Sequence, residues 1–272
     1  MASFDPGVMH KTAGMTDYPI PNNSADLTGQ VALVTGATSG LGWRFAQVLA
    51  HAGASIAIAG RRTERLDELA AIIREAGGSA LPLQLDVMDA ENIVKVVDAA
   101  EEALGTVTIL VNNAGVPDAQ RAHKMSVELV DTLLGVNVRG PYLLSIEVAK
   151  RLIAAEMPGR MVNIASIAAF TYSGQGAALY SITKAAIARM SEVLGVEWAR
   201  YNINVNGIAP GAFESEMMDG MLERMGDIAS HFPRNRIGHP AQLDSTLLYL
   251  CSPASDAVTG TVIRVDDGQS AR

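Results

Sequence analysis

The chain has 272 residues, of which 49% are hydrophobic and 18% charged, a balance that describes a well-packed globular protein and excludes intrinsic disorder. Its net charge of -8 argues against nonspecific nucleic-acid binding, which relies on Lys and Arg to neutralise phosphates. No apolar run approaches the roughly 20 residues that span a bilayer, and a single cysteine, Cys251, excludes an internal disulfide, so a cytoplasmic protein without membrane or nucleic-acid partners is expected.

Residues 1–26 hold three prolines among Asn, Ser and Asp. They show no sustained periodicity and read as a flexible extension, without the charged and apolar regions of a signal peptide. From residue 30 short apolar runs alternate with segments of helical period. In order they are "QVALVT" (30–35), "ASIAIA" (54–59), "ALPLQL" (80–85), "TILVNN" (108–113), "RMVNIA" (160–165), "INVNGI" (203–208) and "TVIRV" (261–265). Continuous apolar runs suit strands covered on both faces, and helices between them imply βαβ units. The expectation is α/β: a single doubly wound domain over 27–272, with a seven-stranded parallel sheet and helices on both faces. The five histidines are scattered and lack ligand spacing, so no metal site is expected.

After the first strand, "LVTGATSGLGWRFAQVLA" reads as strand, turn and helix. Gly36, Gly40 and Gly42 give the spacing GxxxGxG. A tight turn, close approach of a pyrophosphate and helix–strand packing each favour glycine, and the helix N-terminus attracts the anion. With Ser39 and Leu41 these residues are candidate dinucleotide contacts; an ordinary glycine-containing loop is the alternative. The second strand ends "IAIAGRRTERL". Gly60 stands where an NAD site carries an acid, and Arg61 and Arg62 follow, able to bond a 2′-phosphate. NADP(H) is therefore expected, with NAD(H) as the second option.

In "ALYSITKAA", Tyr180 and Lys184 are four positions apart and share a helix face. Alone they could be a snorkelling surface pair. Together with "TGATSGLG", "LDVMD" (Asp86, Val87), "NNAG" (Asn113, Gly115), "NVRG" (Asn137), "NIAS" (Ser166) and "PGAFESEM" (Pro210, Gly211, Phe213, Ser215), however, they occur in an order and spacing that resembles the short-chain dehydrogenase/reductase family over nearly all of residues 27–268. The resemblance implies a Rossmann domain and hydride transfer between NADP(H) and a carbonyl or secondary alcohol. It implies that Tyr180 handles the proton, Lys184 tunes it and reaches the nicotinamide ribose, Ser166 bonds the carbonyl, and Asn137 holds a relay water. The named residues of "LDVMD", "NNAG" and "PGAFESEM" would contact the cofactor. An ammonium one turn from a phenol, helped by the positive nicotinamide of the oxidised complex, should lower a pKa that is ordinarily about 10. The resemblance also implies a homodimer or homotetramer, with Ala185, Ala186 and Ala188 permitting close helix packing. Two departures stand out: "VDDG" places Asp267 where the family has glycine, and the first 26 residues have no counterpart.

On the substrate side, residues 213–236 carry Met217, Met218, Met221 and Met225. They are either a mobile lid, as the resemblance implies, or an amphipathic helix that uses Met as core filler. Ala168, Phe170 and Tyr172 near Ser166 suggest an uncharged, partly aromatic pocket that His231 could also line. The expected substrate is a small to medium apolar or aromatic ketone. The alternatives are a 3-oxoacyl-carrier-protein reductase, which the acidic charge and Glu156 weaken, a sugar or polyol dehydrogenase, and an NADP(H)-binding sensor without turnover.

Overall fold

The computed structural model describes Pro19 and residues 21–118, 120–172, 174 and 176–270. Most of the extension expected over 1–26 lies outside them. Its described end, residues 21–26, is exposed and is tied down where the Ser24 carbonyl accepts the Ser252 hydroxyl at 2.6 Å. Leu27, fully buried, starts the packed domain.

Seven strands form one sheet: β1 (Val31–Thr35), β2 (Ser55–Gly60), β3 (Ser79–Gln84), β4 (Ile109–Asn112), β5 (Gly159–Ile164), β6 (Ile203–Pro210) and β7 (Val262–Val265). Their order is β3-β2-β1-β4-β5-β6-β7, and every pairing is parallel, with Val31 opposite Ser55 and Ala32 opposite Ile109. All residues of β1, β4 and β6 are buried, which is why these segments read as apolar runs rather than alternations. Pro82 is confined to the edge strand β3, where one side of the ladder is open.

Helices cover both faces. On one, α3 (Ala90–Leu104), α5 (Gly140–Ala154) and α6 (Ala178–Glu197) bury Val97, Leu144, Leu152 and Ile187. On the other, α1 (Gly40–His51), α2 (Thr63–Glu75) and α8 (Asp244–Cys251) bury Phe45, Leu49, Leu69 and Leu247. The helix α4 (Val127–Leu134) runs through a π turn at Gly135–Arg139 into α5. Gly140 is required there, because a Cβ would come within 2.8 Å of Val87. A last helix, α7 (Glu216–Met225), follows β6. Among the described residues no helix is long and apolar enough to cross a membrane.

The strand order reverses between β1 and β4, so the loops leaving their carboxyl ends part and open a crevice. The remaining chemistry gathers along that edge.

Candidate active site

The glycine turn is built around Asn113. Its amide donates to the Thr35 and Gly36 carbonyls at 3.0 and 3.2 Å, while Thr35 Oγ1 accepts the Asn113 and Ala114 N–H groups, both at 3.1 Å. A Cβ on Gly36, whose φ is +66, would lie 2.8 Å from the Ala114 Cα, and one on Gly42 would overlap the Asn113 amide and the Gly36 carbonyl. Two of the three glycines are thus demanded by the seating of Asn113, whatever they offer a pyrophosphate. Gly40 opens α1, and Ser39 before it makes no side-chain cap, which leaves the first N–H groups to an outside anion. Leu41 is partly buried against the core.

The two arginines after β2 are in different states. Arg61 is exposed, forms no ion pair among the described residues, and lines a pocket of about 370 Å³ with Gln84, Asp86 and Asn92. Arg62 is already engaged. It donates to Thr38 Oγ1 at 2.9 Å and to both carboxylate oxygens of Glu216, at 3.0 and 3.2 Å. Arg62, together with a hydrogen bond to Ser39, holds the Glu216 carboxyl below the usual range. Asp86 turns its own loop by accepting the Met88 N–H at 3.0 Å, and Val87 is buried beneath Gly140.

Along the next loop, Pro210 ends β6. Gly211 lies against Gln269, whose side-chain oxygen accepts the Ala212 N–H at 2.7 Å. The ring of Phe213 is 7% exposed and packs on Gly238, so its side chain belongs to the core rather than to a ligand. Ser215 caps α7 by accepting the Met218 N–H at 3.2 Å and stands directly over Gly40.

Ser166 follows β5 and accepts the Ala168 N–H at 3.1 Å, and its side chain lies close enough to the Tyr180 phenol to lower the phenol's pKa. Lys184 is 5% exposed; its Nζ donates to the Ile164 carbonyl at 2.8 Å and stands 5.6 Å from the Tyr180 ring centre. Burial pushes the phenol up to about 12 and pulls the ammonium down to about 8. Desolvation is thus the larger influence on Tyr180, and the Ser166 side chain opposes it. Asn137 is 1% exposed. Its oxygen accepts the Val116 N–H at 2.8 Å, and its nitrogen donates to the Val116 carbonyl at 2.9 Å and to Thr183 Oγ1 at 3.2 Å. The side chain thus acts as a brace. Gly115 fits between Asn137 and Lys184, with a Cβ position 3.5 Å from each. The fold brings all four expected catalytic side chains to one place.

No residue of α7 is buried, which removes the core-filler reading of its methionines. His231 is exposed beside Ser230. Phe170 lies under the Arg264 guanidinium at 4.1 Å, so the wall expected to be uncharged carries a cation. Ala188 is buried in the core and takes no part in an outer helix face, unlike Ala185. Sequence reasoning missed Thr38, Thr183, Glu216 and Gln269, because each acts on a partner at least 24 residues away or, for Thr183, from within a helix turn that looks like any other.

The family model described as enoyl-(acyl carrier protein) reductase matches residues 36–270. The chain is 34% identical over 253 residues to 2-dehydro-3-deoxy-D-gluconate 5-dehydrogenase of Dickeya dadantii, covering 92% of this chain and 99% of that one. It is 32% identical over 243 residues to the 3-oxoacyl-[acyl-carrier-protein] reductase FabG of Thermotoga maritima, covering 89% and 98%. A variant of actinorhodin polyketide ketoreductase, solved with NADPH, superposes with a TM-score of 0.85 at 32% identity over 88% of this chain and 97% of that one. A parallel seven-stranded sheet, a glycine turn at its switch point, and a serine, tyrosine and lysine gathered at its carboxyl edge agree with these likenesses, and the chain belongs to the short-chain dehydrogenase/reductase family of oxidoreductases, which act on CH–OH groups.

Proposed function

We propose that the protein is an NADP(H)-dependent carbonyl reductase, or a secondary-alcohol dehydrogenase in reverse, acting on small to medium apolar or aromatic ketones. The observation that carries this reading is the enclosed Lys184, whose Nζ stands 5.6 Å from the Tyr180 ring centre, with Ser166 beside the same phenol. The chain fits a phosphorylated nicotinamide dinucleotide: α1 begins without a side-chain cap, and the unpaired Arg61 faces an open pocket. When bound, NADPH supplies the hydride for the carbonyl carbon. Tyr180 gives its proton to the carbonyl oxygen, Ser166 bonds the same oxygen, and the charge of Lys184 supports the phenolate left behind. Asn137, Gly115 and Thr183 hold Lys184 and Tyr180 in register. Cofactor contacts are assigned to the glycine turn, Arg61 and Arg62, Asp86, the backbone of Val87, Asn113, Gly115 and the 210–215 loop, and Tyr180 and Lys184.

The unburied methionines of α7 support an adaptable apolar lid over 213–236. An acyl-carrier substrate is the second reading, favoured by the likeness to FabG and opposed by the net charge of -8. On α6, Ile182, Ala185, Val193 and Val196 form an exposed apolar stripe suited to a homodimer or homotetramer. The single cysteine, buried and unpaired, suits the cytoplasm.

Reduced-nicotinamide absorbance, followed with NADPH and NADH against aryl ketones, aliphatic ketones, a 2-keto sugar acid and a 3-oxoacyl thioester, tests the reading. Apolar ketones turned over with NADPH preferred would bear it out. Preference for the sugar acid or the thioester would replace the substrate, and preference for NADH would overturn the role of Arg61. Tyr180→Phe should cost about 10²- to 10⁴-fold in turnover while NADPH still binds; a protein that only senses the cofactor would not respond.

A further inference from the structure

The helix that carries Tyr180 and Lys184 starts without a cap of its own. Ala177, at the N-cap position, has φ +63, a left-handed conformation unusual for a residue with a Cβ, and no side chain to accept an N–H. Gly174 and Gly176 before it also have positive φ. The missing acceptor comes from far away in the chain. Asp118, on the loop between β4 and α4, is 6% exposed, and its Oδ2 accepts the Tyr180 N–H at 3.1 Å. Its Oδ1 accepts the Gln120 N–H at 3.0 Å, which fixes the carboxylate's own orientation. A second contact joins the same two loops, where Arg121 donates to the Gly174 carbonyl at 2.9 Å.

Asp118 forms no ion pair among the described residues, so its buried charge rests on N–H groups and on the positive end of a 20-residue helix. Its loop begins at Gly115 and Val116, the residues that seat against Lys184 and Asn137. One loop therefore contacts the supports of three of the four expected catalytic side chains. The N–H it grips is that of Tyr180 itself, so a shift of Asp118 moves the phenol relative to Ser166.

We infer that Asp118 is a positioning residue for the reaction, supplying from the β4–α4 loop the cap that α6 lacks and so setting where the Tyr180 phenol stands. The inference rests on Tyr180 being the proton donor, and Tyr180→Phe is therefore measured alongside. In Asp118→Ala, kcat should fall about 100-fold, the cost of a small misplacement of a reacting group, with NADPH affinity unchanged. Asp118→Asn keeps an acceptor oxygen in place and should restore kcat to near the wild-type value. Asp118→Glu keeps the charge but moves the acceptor by one methylene, and should be slow. If Asp118→Ala does not fold, the Asn and Glu variants decide. An active Glu variant with a slow Asn variant, or wild-type kcat in a folded Ala variant, overturns the inference. An active Tyr180→Phe enzyme overturns the proton-donor reading and this one with it, whereas an inactive one beside a fully active Asp118→Ala enzyme overturns only the role of Asp118.

Discussion

At Lys184 an ammonium is enclosed with the Ile164 carbonyl as its only hydrogen-bond acceptor among the described residues. Burial lowers its pKa from 10.5 to about 8, which links stability to pH with a definite sign. Between those values the unfolded chain binds a proton that the folded chain does not, so stability rises with pH through the window. Below about 8 the fold carries the whole cost of the buried charge, up to about 3 kcal/mol. Lys184→Met should therefore unfold at higher denaturant than the wild type at neutral pH, lose the rise between about pH 8 and 10.5, and have no turnover. Equal midpoints for the two proteins at neutral pH would show that the ammonium is solvated. The pairing of Tyr180 with Lys184 was legible from their four-residue spacing. The desolvation of both groups was not, since it depends on what closes over a side chain rather than on its neighbours in sequence.

Among the elements, α7 is the one that the core does not hold. None of its residues is buried, and ion pairs fasten the segment at both ends. Glu216 binds Arg62 at 3.0 Å, while Arg234 and Arg236 bind Asp267 at 3.1 and 2.6 Å. Asp267 has φ +55, which accounts for the family's glycine at that position, and its carboxylate gains two guanidinium partners that a glycine would lack. Exposed pairs of this kind contribute little individually. Glu216 also holds Arg62, one of the two guanidiniums that a 2′-phosphate would use. Glu216→Gln should tighten NADPH about 2- to 5-fold, the worth of one exposed pair, leave NADH unchanged, and lose its effect in high salt. Fluorescence titration of both cofactors at two salt concentrations checks this; equal tightening of NADH would place Glu216 outside the phosphate's corner. Helical period made α7 visible in the sequence, but residues 62 and 216 are 154 apart and nothing local announces their contact.

For the molecule as a whole, the sheet is covered on both faces by two clusters of buried side chains, so an exposed apolar stripe has no partner within the chain. On α6, Val193 is 40% exposed, Ile182 61% and Val196 77%, all on one helix face. Substituting Val193→Asp together with Val196→Asp should convert an oligomer to a monomer in size-exclusion chromatography without loss of helical circular dichroism. A wild-type protein that already elutes as a monomer would remove the stripe's role. The inward position of Ala188 narrows the contact to this face, whereas the sequence admitted all three alanines.

Composition and periodicity by themselves determined the seven strands, the helices between them and the parallel class of the sheet, because burial on two faces leaves an apolar run that can be read along one segment. The spacing of Gly36, Gly40 and Gly42, and of Tyr180 and Lys184, likewise lies within single turns and helices. Tertiary structure alone decided the rest. Asn113 is what requires two of the glycines, Glu216 occupies Arg62, and Phe213 faces the core rather than a ligand. Asp118 caps a helix that starts 60 residues further on, and burial raises the Tyr180 pKa. Each of these is settled where segments distant in sequence close over one another and exclude water, and a one-dimensional pattern records neither that closure nor the desolvation it causes.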